Sequence, residues 1–201
     1  RCVPAQPRTG QRKGRRAAIL SLTALPAWMS DALAQTVVSR GVGLSHDCFI
    51  AAKIGRNPRS GVDICDKALR EEMMNLRNQA ATHDNRGVLL DGLGRTDDAT
   101  EDFNAAIRLD PTLGDTYVNL GSMMIKQRRL DEALIHINKG LDLGMSFPHI
   151  GYFNRAVAEE LLGRYRDAYY DYKKVLELEP QFEQASEWLK DFKVTRAAAP
   201  G

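Results

Sequence analysis

Apolar side chains along most of this chain recur at the spacing of amphipathic helices, and the pattern repeats every 34 residues. Three blocks align without gaps: Ala80–Leu113, Gly114–Phe147 and His149–Phe182. Each block has a small residue at its eighth position, Ala at its twentieth and a bulky apolar residue at its twenty-fourth. This pattern predicts two helices per block. The small residues that let the two helices approach are Gly87, Gly121 and Ala156, opposite Ala99, Ala133 and Ala168.

Turn residues fall at equivalent places in the blocks. Gly94 and Gly163 separate the two helices of the first and third blocks, where a glycine accepts positive φ. Pro111 and Pro180 close the same two blocks. Because a missing N–H costs little at the start of a helix, we expect these prolines to begin the helices that follow.

The three blocks resemble the tetratricopeptide repeat family. Tyr117 and Tyr152 supply the aromatic residue that the family pattern asks for at the fourth position, whereas His83 departs from it. The middle block lacks the closing proline and is followed by one extra residue, Pro148. The resemblance implies an all-α fold, a right-handed superhelix (solenoid) of helix pairs, in which the first helices line a concave face that binds proteins.

Both flanks of the three blocks extend the array. Upstream, Lys67-Ala68-Leu69 resembles the end of a second repeat helix, which places a divergent repeat at Val42–Asn75 within a helix pair over residues 42–79. Downstream, one capping helix over Gln181–Arg196 is expected to cover the last exposed face, so the array spans residues 80–196. Residues 197–201 are expected to be a disordered tail. The apolar stripe of the capping helix is Phe182, Ala185, Trp188, Leu189 and Phe192.

The repeat register brings two cysteines together. Cys48 and Cys65 lie on the two antiparallel helices of the divergent pair, each about eight residues from a turn near Arg56-Asn57-Pro58. Residues equidistant from such a turn face each other, so a disulfide is expected in an oxidising compartment. Two buried free thiols are the alternative.

The net charge of +2 hides an asymmetry, since residues 1–34 carry +5 and the rest of the chain −3. A basic, nucleic-acid-binding body is therefore excluded. The basic cluster Arg12–Arg16, the apolar run Ala17–Met29 and the Ala32-Leu33-Ala34 pattern together predict a signal peptide cleaved near Ala34-Gln35. We expect a periplasmic or secreted protein; an organelle transit peptide and a first helix of the domain are the alternatives. The run is too short for a membrane span, and no other segment is longer.

Candidate catalytic chemistry is absent from the sequence. The four histidines include no pair at helical spacing, and no phosphate loop, dinucleotide motif or serine nucleophile motif occurs. His46-Asp47-Cys48 resembles a nucleophile or metal site, but a cysteine held in a disulfide does neither. We expect no enzyme activity, metal or cofactor; an enzyme with an unrecognised site is the alternative.

The expected activity is protein or peptide binding in the concave groove. Asn recurs at the sixth position of each block, and its amide can both donate to and accept from an extended peptide backbone. Asn as local repeat consensus is the alternative. Lys126 is the one basic residue in the groove, which argues against a ligand held by its carboxylates and favours a mixed apolar and basic segment. A monomer or weak oligomer is expected, with a self-assembling structural protein as the alternative. The candidate contacts are Asn85, Asn119, Asn154, Val118, Ser122, Ile125, Lys126, Phe153 and Val157.

Overall fold

The computed structural model describes residues 2–4 and 42–194. Nine α-helices make up most of this part of the chain, with two short strands at its extremities. The fold is therefore an all-α helical array, as predicted, with a small two-stranded addition that the sequence pattern did not indicate. The elements are β1 (Cys2–Pro4), α1 (Leu44–Ile54), α2 (Pro58–Glu71), α3 (Leu76–Gly92), α4 (Thr96–Leu109), α5 (Gly114–Lys126), α6 (Leu130–Leu143), α7 (Pro148–Leu161), α8 (Tyr165–Leu178), α9 (Glu183–Leu189) and β2 (Phe192–Val194).

Helices α1 to α8 form four antiparallel pairs, each the product of one repeat. Each second helix also packs against the first helix of the next pair, so the apolar core runs continuously from the first pair to α9. A single pair could not bury its apolar face alone, which is why the fold requires the neighbouring repeats.

The small residue at the eighth position makes room for the bulky residue at the twenty-fourth. A Cβ added at Gly87 would lie 2.7 Å from Phe103 Cε1, and one at Gly121 would lie 2.6 Å from Ile137 Cγ1. Phe103 and Ile137 are buried. The predicted close approach of the two helices is therefore present, and the ring or branched chain fills the space that the missing Cβ leaves.

The turns between paired helices use the left-handed region of φ. Gly94 and Gly163 adopt φ values of 73° and 76°, as the sequence predicted. In the middle repeat Arg128 occupies the corresponding turn with φ 63°. Since a residue with a Cβ is strained there, the middle repeat carries a local cost that its two neighbours avoid.

The prediction that Pro111 and Pro180 begin helices is wrong. Helix α5 begins three residues after Pro111 at Gly114, because Asp110 Oδ1 accepts from Thr112 N at 3.0 Å and from Thr112 Oγ1 at 2.6 Å and so closes a turn first. Helix α9 likewise begins three residues after Pro180.

The C-terminal capping helix is shorter than predicted. It ends at Leu189, and Phe192–Val194 is extended and pairs antiparallel with Cys2–Pro4 in the register Cys2↔Val194 and Pro4↔Phe192. Strand β1 packs against α8, and the Phe192 ring at the start of β2 is 5.9 Å from the ring of Tyr169 on α8. The remainder of the predicted leader and the tail at residues 197–201 lie outside the described residues.

The divergent helix pair brings its two cysteines together. The Sγ atoms of Cys48 and Cys65 lie at bonding distance, with the Cα atoms 4.8 Å apart and both residues fully buried. Beside them, Glu72 accepts from Ser45 N at 2.6 Å and from Ser45 Oγ at 2.9 Å. The start of α1 is thus tied to the end of α2.

Candidate peptide-binding face

The first helices of the repeats, α1, α3, α5 and α7, form one layer of the array. Each contacts the next first helix along the chain, whereas the second helices do not contact one another to the same extent. Shorter spacing on one side means that the array curves toward that side. The first helices therefore lie on the inside of the curve, where the sequence places the candidate groove.

All nine predicted contact residues lie on α3, α5 and α7. Eight of them are at most 1% exposed in the whole chain, and the three asparagines are fully buried. Contact with a ligand therefore requires a change that exposes these side chains, and it stays a prediction. The eight buried residues are Asn85, Asn119, Asn154, Val118, Ser122, Ile125, Phe153 and Val157.

A buried carboxyl group lies at the centre of this face. Asn119 Nδ2 donates to both carboxyl oxygens of Asp84, at 3.1 and 3.2 Å, and so joins α5 to α3. Burial raises the pKa of Asp84 to about 8, although the hydrogen bonds from Asn119 oppose the rise. Asp84 is therefore largely protonated at neutral pH.

Other charges of the inner layer are already paired within the chain. Lys126 Nζ lies 2.6 Å from Asp91 Oδ2, and 25% of the Lys126 side chain is exposed. The Tyr172 hydroxyl donates to Glu160 at 3.0 Å, and burial raises the pKa of Tyr172. Lys126 therefore serves first as a partner of Asp91 and offers a ligand little free positive charge.

Two arginines of the first helices bond to side chains of the second helices, and the sequence analysis missed these contacts. Arg86 on α3 donates through Nε and Nη2 to Asp102 on α4, both at 2.6 Å, and through Nη1 to Asp66 on α2 at 2.5 Å. Each arginine bonds its own repeat and the preceding one. The signal was present, because Arg at the seventh position and Asp at the twenty-third recur in the first and third blocks.

Arg155 repeats the arrangement two repeats later. It donates to Asp171 on α8 at 2.7 and 2.8 Å and to Asn138 on α6 at 2.8 Å. We call this set of contacts the arginine clamp. The clamp at Arg86 also lowers the pKa of Asp102 against the effect of burial. His83 Nδ1 lies 2.8 Å from Asp102 Oδ1, which makes this histidine part of the clamp.

Among the residues that the structure describes, no three His, Cys, Asp or Glu side chains are grouped to hold a metal ion. Within the same residues, no helix is long and apolar enough to cross a membrane.

Comparison with known families identifies the repeats. Tetratricopeptide repeat models match residues 80–113 and 149–182, which are the first and third blocks. The chain is a tetratricopeptide-repeat protein, as its sequence pattern predicted. The repeats support a protein-interaction scaffold as the type of protein.

One curated relative is the "Lipoprotein NlpI homolog" of Haemophilus influenzae. It is 30% identical over 146 residues, which is 70% of this chain and 46% of the relative. The chain therefore spans about half the length of the curated relative it matches.

Solved structures share the fold. The Arabidopsis OM64 TPR domain has a TM-score of 0.54 at 22% identity, covering 57% of this chain and 94% of that domain. A crystal structure of MamA has a TM-score of 0.58 at 17% identity, covering 74% of this chain and 82% of MamA. At these identities the likeness establishes the helical repeat architecture.

Proposed function

We propose that this protein is a protein-interaction module of the cell envelope and that its inner layer of helices binds a peptide segment. The observation that carries the proposal is the alignment of α3, α5 and α7, which places an asparagine at the same position of three successive helices. Equivalent amides one repeat apart match an extended peptide backbone, which presents donors and acceptors at regular intervals.

The chemistry of the same face defines the partner. Val118, Ile125, Phe153 and Val157 would offer apolar surface once the face is exposed, and the half-buried Asp91 and Glu160 contribute acidic groups. A mixed apolar and basic segment fits this composition. A ligand held by its own carboxylates does not, because the one lysine of the face is paired with Asp91.

The envelope location is part of the proposal. It is supported by the predicted leader at residues 1–34, by the two cysteines at bonding distance, and by the similarity to a protein named as a lipoprotein. An oxidised Cys48–Cys65 pair would fit an oxidising compartment such as the periplasm.

Crosslinking in the native compartment, followed by mass spectrometry, tests the groove. We use the shorter chain that begins at Gln35, which is the chain left after cleavage of the predicted leader. The expected result is that the shorter chain crosslinks to a partner through residues of α3, α5 and α7. Asn119→Ala should lower recovery about tenfold, the effect of losing one or two hydrogen bonds.

The matched control is Asn104→Ala on α4, where an exposed asparagine lies outside the inner layer. Circular dichroism verifies that both variants fold. Equal recovery by both variants, or crosslinks confined to α4, α6 and α8, would refute the groove. Light scattering on the purified chain separates a binding module from a self-assembling structural protein, since stable large oligomers would favour the second.

A further inference from the structure

The four helix pairs meet at three junctions, and the arginine clamp is present at two of them. Arg86 ties α3 and α4 to α2, and Arg155 ties α7 and α8 to α6. In both cases the acceptors lie on second helices, away from the inner layer. The bidentate bonds to Asp102 and Asp171 fix each arginine within its own helix pair. One further bond from each arginine, to Asp66 or to Asn138, crosses the outer side of the first or third junction.

The middle junction, between α4 and α5, has different residues at the equivalent positions. Leu120 replaces the arginine, His136 replaces the aspartate, and Asn104 stands where the preceding repeat would supply the acceptor. Leu120 is buried in the apolar core. Within residues 42–194, no ion pair joins α4 to α5 or α6, and α4 packs on α5 less extensively than α2 packs on α3 or α6 on α7.

The inner side of the same junction is held. Asn119 bonds Asp84 and Lys126 bonds Asp91, and all four residues lie on α3 and α5. A junction with polar side-chain bonds along one side only can rotate about that side, as a hinge does. Its axis runs along the contact between α3 and α5, and the second helices move apart or together around it.

We propose that the array bends at the middle junction, so that the pairs α1–α4 and α5–α8 move as two clamped units. Bending there changes the curvature of the inner layer and shifts α7 relative to α3. The proposal does not depend on which ligand the inner layer takes, or on whether it takes one.

The repeat register supplies a matched set of probes. Asp63, Glu101, Ile135 and Tyr170 occupy the twenty-second position of the four repeats, and each is exposed on its second helix. Nitroxide labels are attached in pairs through an unnatural keto amino acid, which leaves the native cysteines unchanged. Electron paramagnetic resonance then measures the distance distribution across each junction in the full chain.

The distribution between positions 101 and 135 should be about twofold broader than those between 63 and 101 and between 135 and 170. Leu120→Arg with His136→Asp introduces the missing clamp and should narrow the distance distribution between positions 101 and 135. Arg155→Leu with Asp171→His places the leucine and histidine of the middle repeat at the clamp positions of the last repeat. This variant should broaden the distance distribution between positions 135 and 170.

The two double variants keep the proposal falsifiable if one of them fails to fold. Equal widths at all three junctions would overturn it. So would an unchanged width between positions 135 and 170 in the folded Arg155→Leu, Asp171→His variant. Broadening confined to positions 101 and 135 in the unmodified chain, together with narrowing on insertion of the clamp, is the supporting result.

Discussion

The two ends of the array face the same problem and have opposite compositions. A terminal repeat packs on one neighbour, so it lacks half of the contacts that stabilise an inner repeat. The first pair buries mainly small residues, among them Cys48, Ala52 and Cys65, whereas the last repeat buries the rings of Phe153 and Tyr172. One end is thus held by specific bonds and the other by apolar volume.

The aromatic end depends on one cluster. The Trp188 ring of α9 lies 5.4 Å from the ring of Phe153 and 5.5 Å from that of Tyr172, and Phe182 lies 5.1 Å from Phe153. Such tilted and edge-to-face contacts add to the free energy of apolar burial. The difference between the ends shows that a cap of seven residues suffices when its rings reach the core of the last repeat.

The largest effect is expected at the aromatic end. Trp188→Ala removes the ring by which α9 contacts both Phe153 and Tyr172 and should lower the free energy of unfolding by about 4 kcal/mol. Urea unfolding monitored by circular dichroism measures it. Tyr170→Ala, which removes an exposed ring of α8, is the control and should change little. Equal losses in the two variants would show that the cluster does not stabilise the end.

The second prediction concerns a disulfide as the stabilising contact of the first helix pair. Cys48→Ala with Cys65→Ala should cost about 3 kcal/mol, the loop-closure contribution expected for a disulfide over a sequence separation of 17. A reductant should reproduce the loss in the unmodified chain, and Cys2→Ala should not. Finding two free thiols by mass spectrometry of the purified, unreduced chain would contradict the disulfide.

The interior provides a contrast to both ends, because its buried polar centre responds to pH. Since burial raises the pKa of Asp84 from 3.8 to about 8, the folded chain keeps a proton that the unfolded chain releases. The stability from this carboxyl is complete below about pH 4 and is lost as the pH rises toward 8. Asp84→Asn should therefore stabilise the chain by about 2 kcal/mol at pH 8 and little at pH 4.

Urea midpoints between pH 4 and pH 9 measure this prediction. Asp115 remains in the Asp84→Asn variant, and burial raises its pKa too. The urea midpoint of the variant should therefore still change with pH, but with a smaller slope. Parallel curves for the two proteins would mean that Asp84 is ionised in the fold. The Trp188 and Cys48–Cys65 variants should keep the pH dependence of the unmodified chain, because they leave Asp84 in place.

The smallest effect is expected where α1 is tied to α2. Glu72→Gln weakens the bonds from Ser45 and should cost about 1 kcal/mol. Hydrogen exchange should show the change in the first turn of α1 and leave α7 to α9 unchanged. Faster exchange at both ends would indicate a global effect and would weaken the comparison.

The repeat architecture was predictable because its causes are local. Gly87 and Phe103 encode one helix contact, and Gly94 and Gly163 encode two of the turns. The same contacts recur one repeat later, so each block confirmed the register of the next. The helix pairs and the facing cysteines follow from this periodicity, and the family followed from the resemblance of the blocks to a known repeat.

The candidate site was only partly predictable. The sequence placed Asn85, Asn119 and Asn154 on one layer of helices, as the structure does, but it gave no measure of their burial. Burial depends on every element that packs over a side chain. The bond from Asn119 to Asp84 joins residues 35 positions apart, and only the stacking of repeats brings them together.

By itself, the sequence determined the period, the helix pairs and the residues that face one another within a pair, because each depends on spacing along one or two helices. Only the tertiary structure decided which polar groups are buried, that α9 ends at Leu189, and which side chain of the preceding repeat each clamp arginine reaches. These features depend on contacts between repeats, where one residue such as Leu120 in place of arginine changes the partners available to three helices.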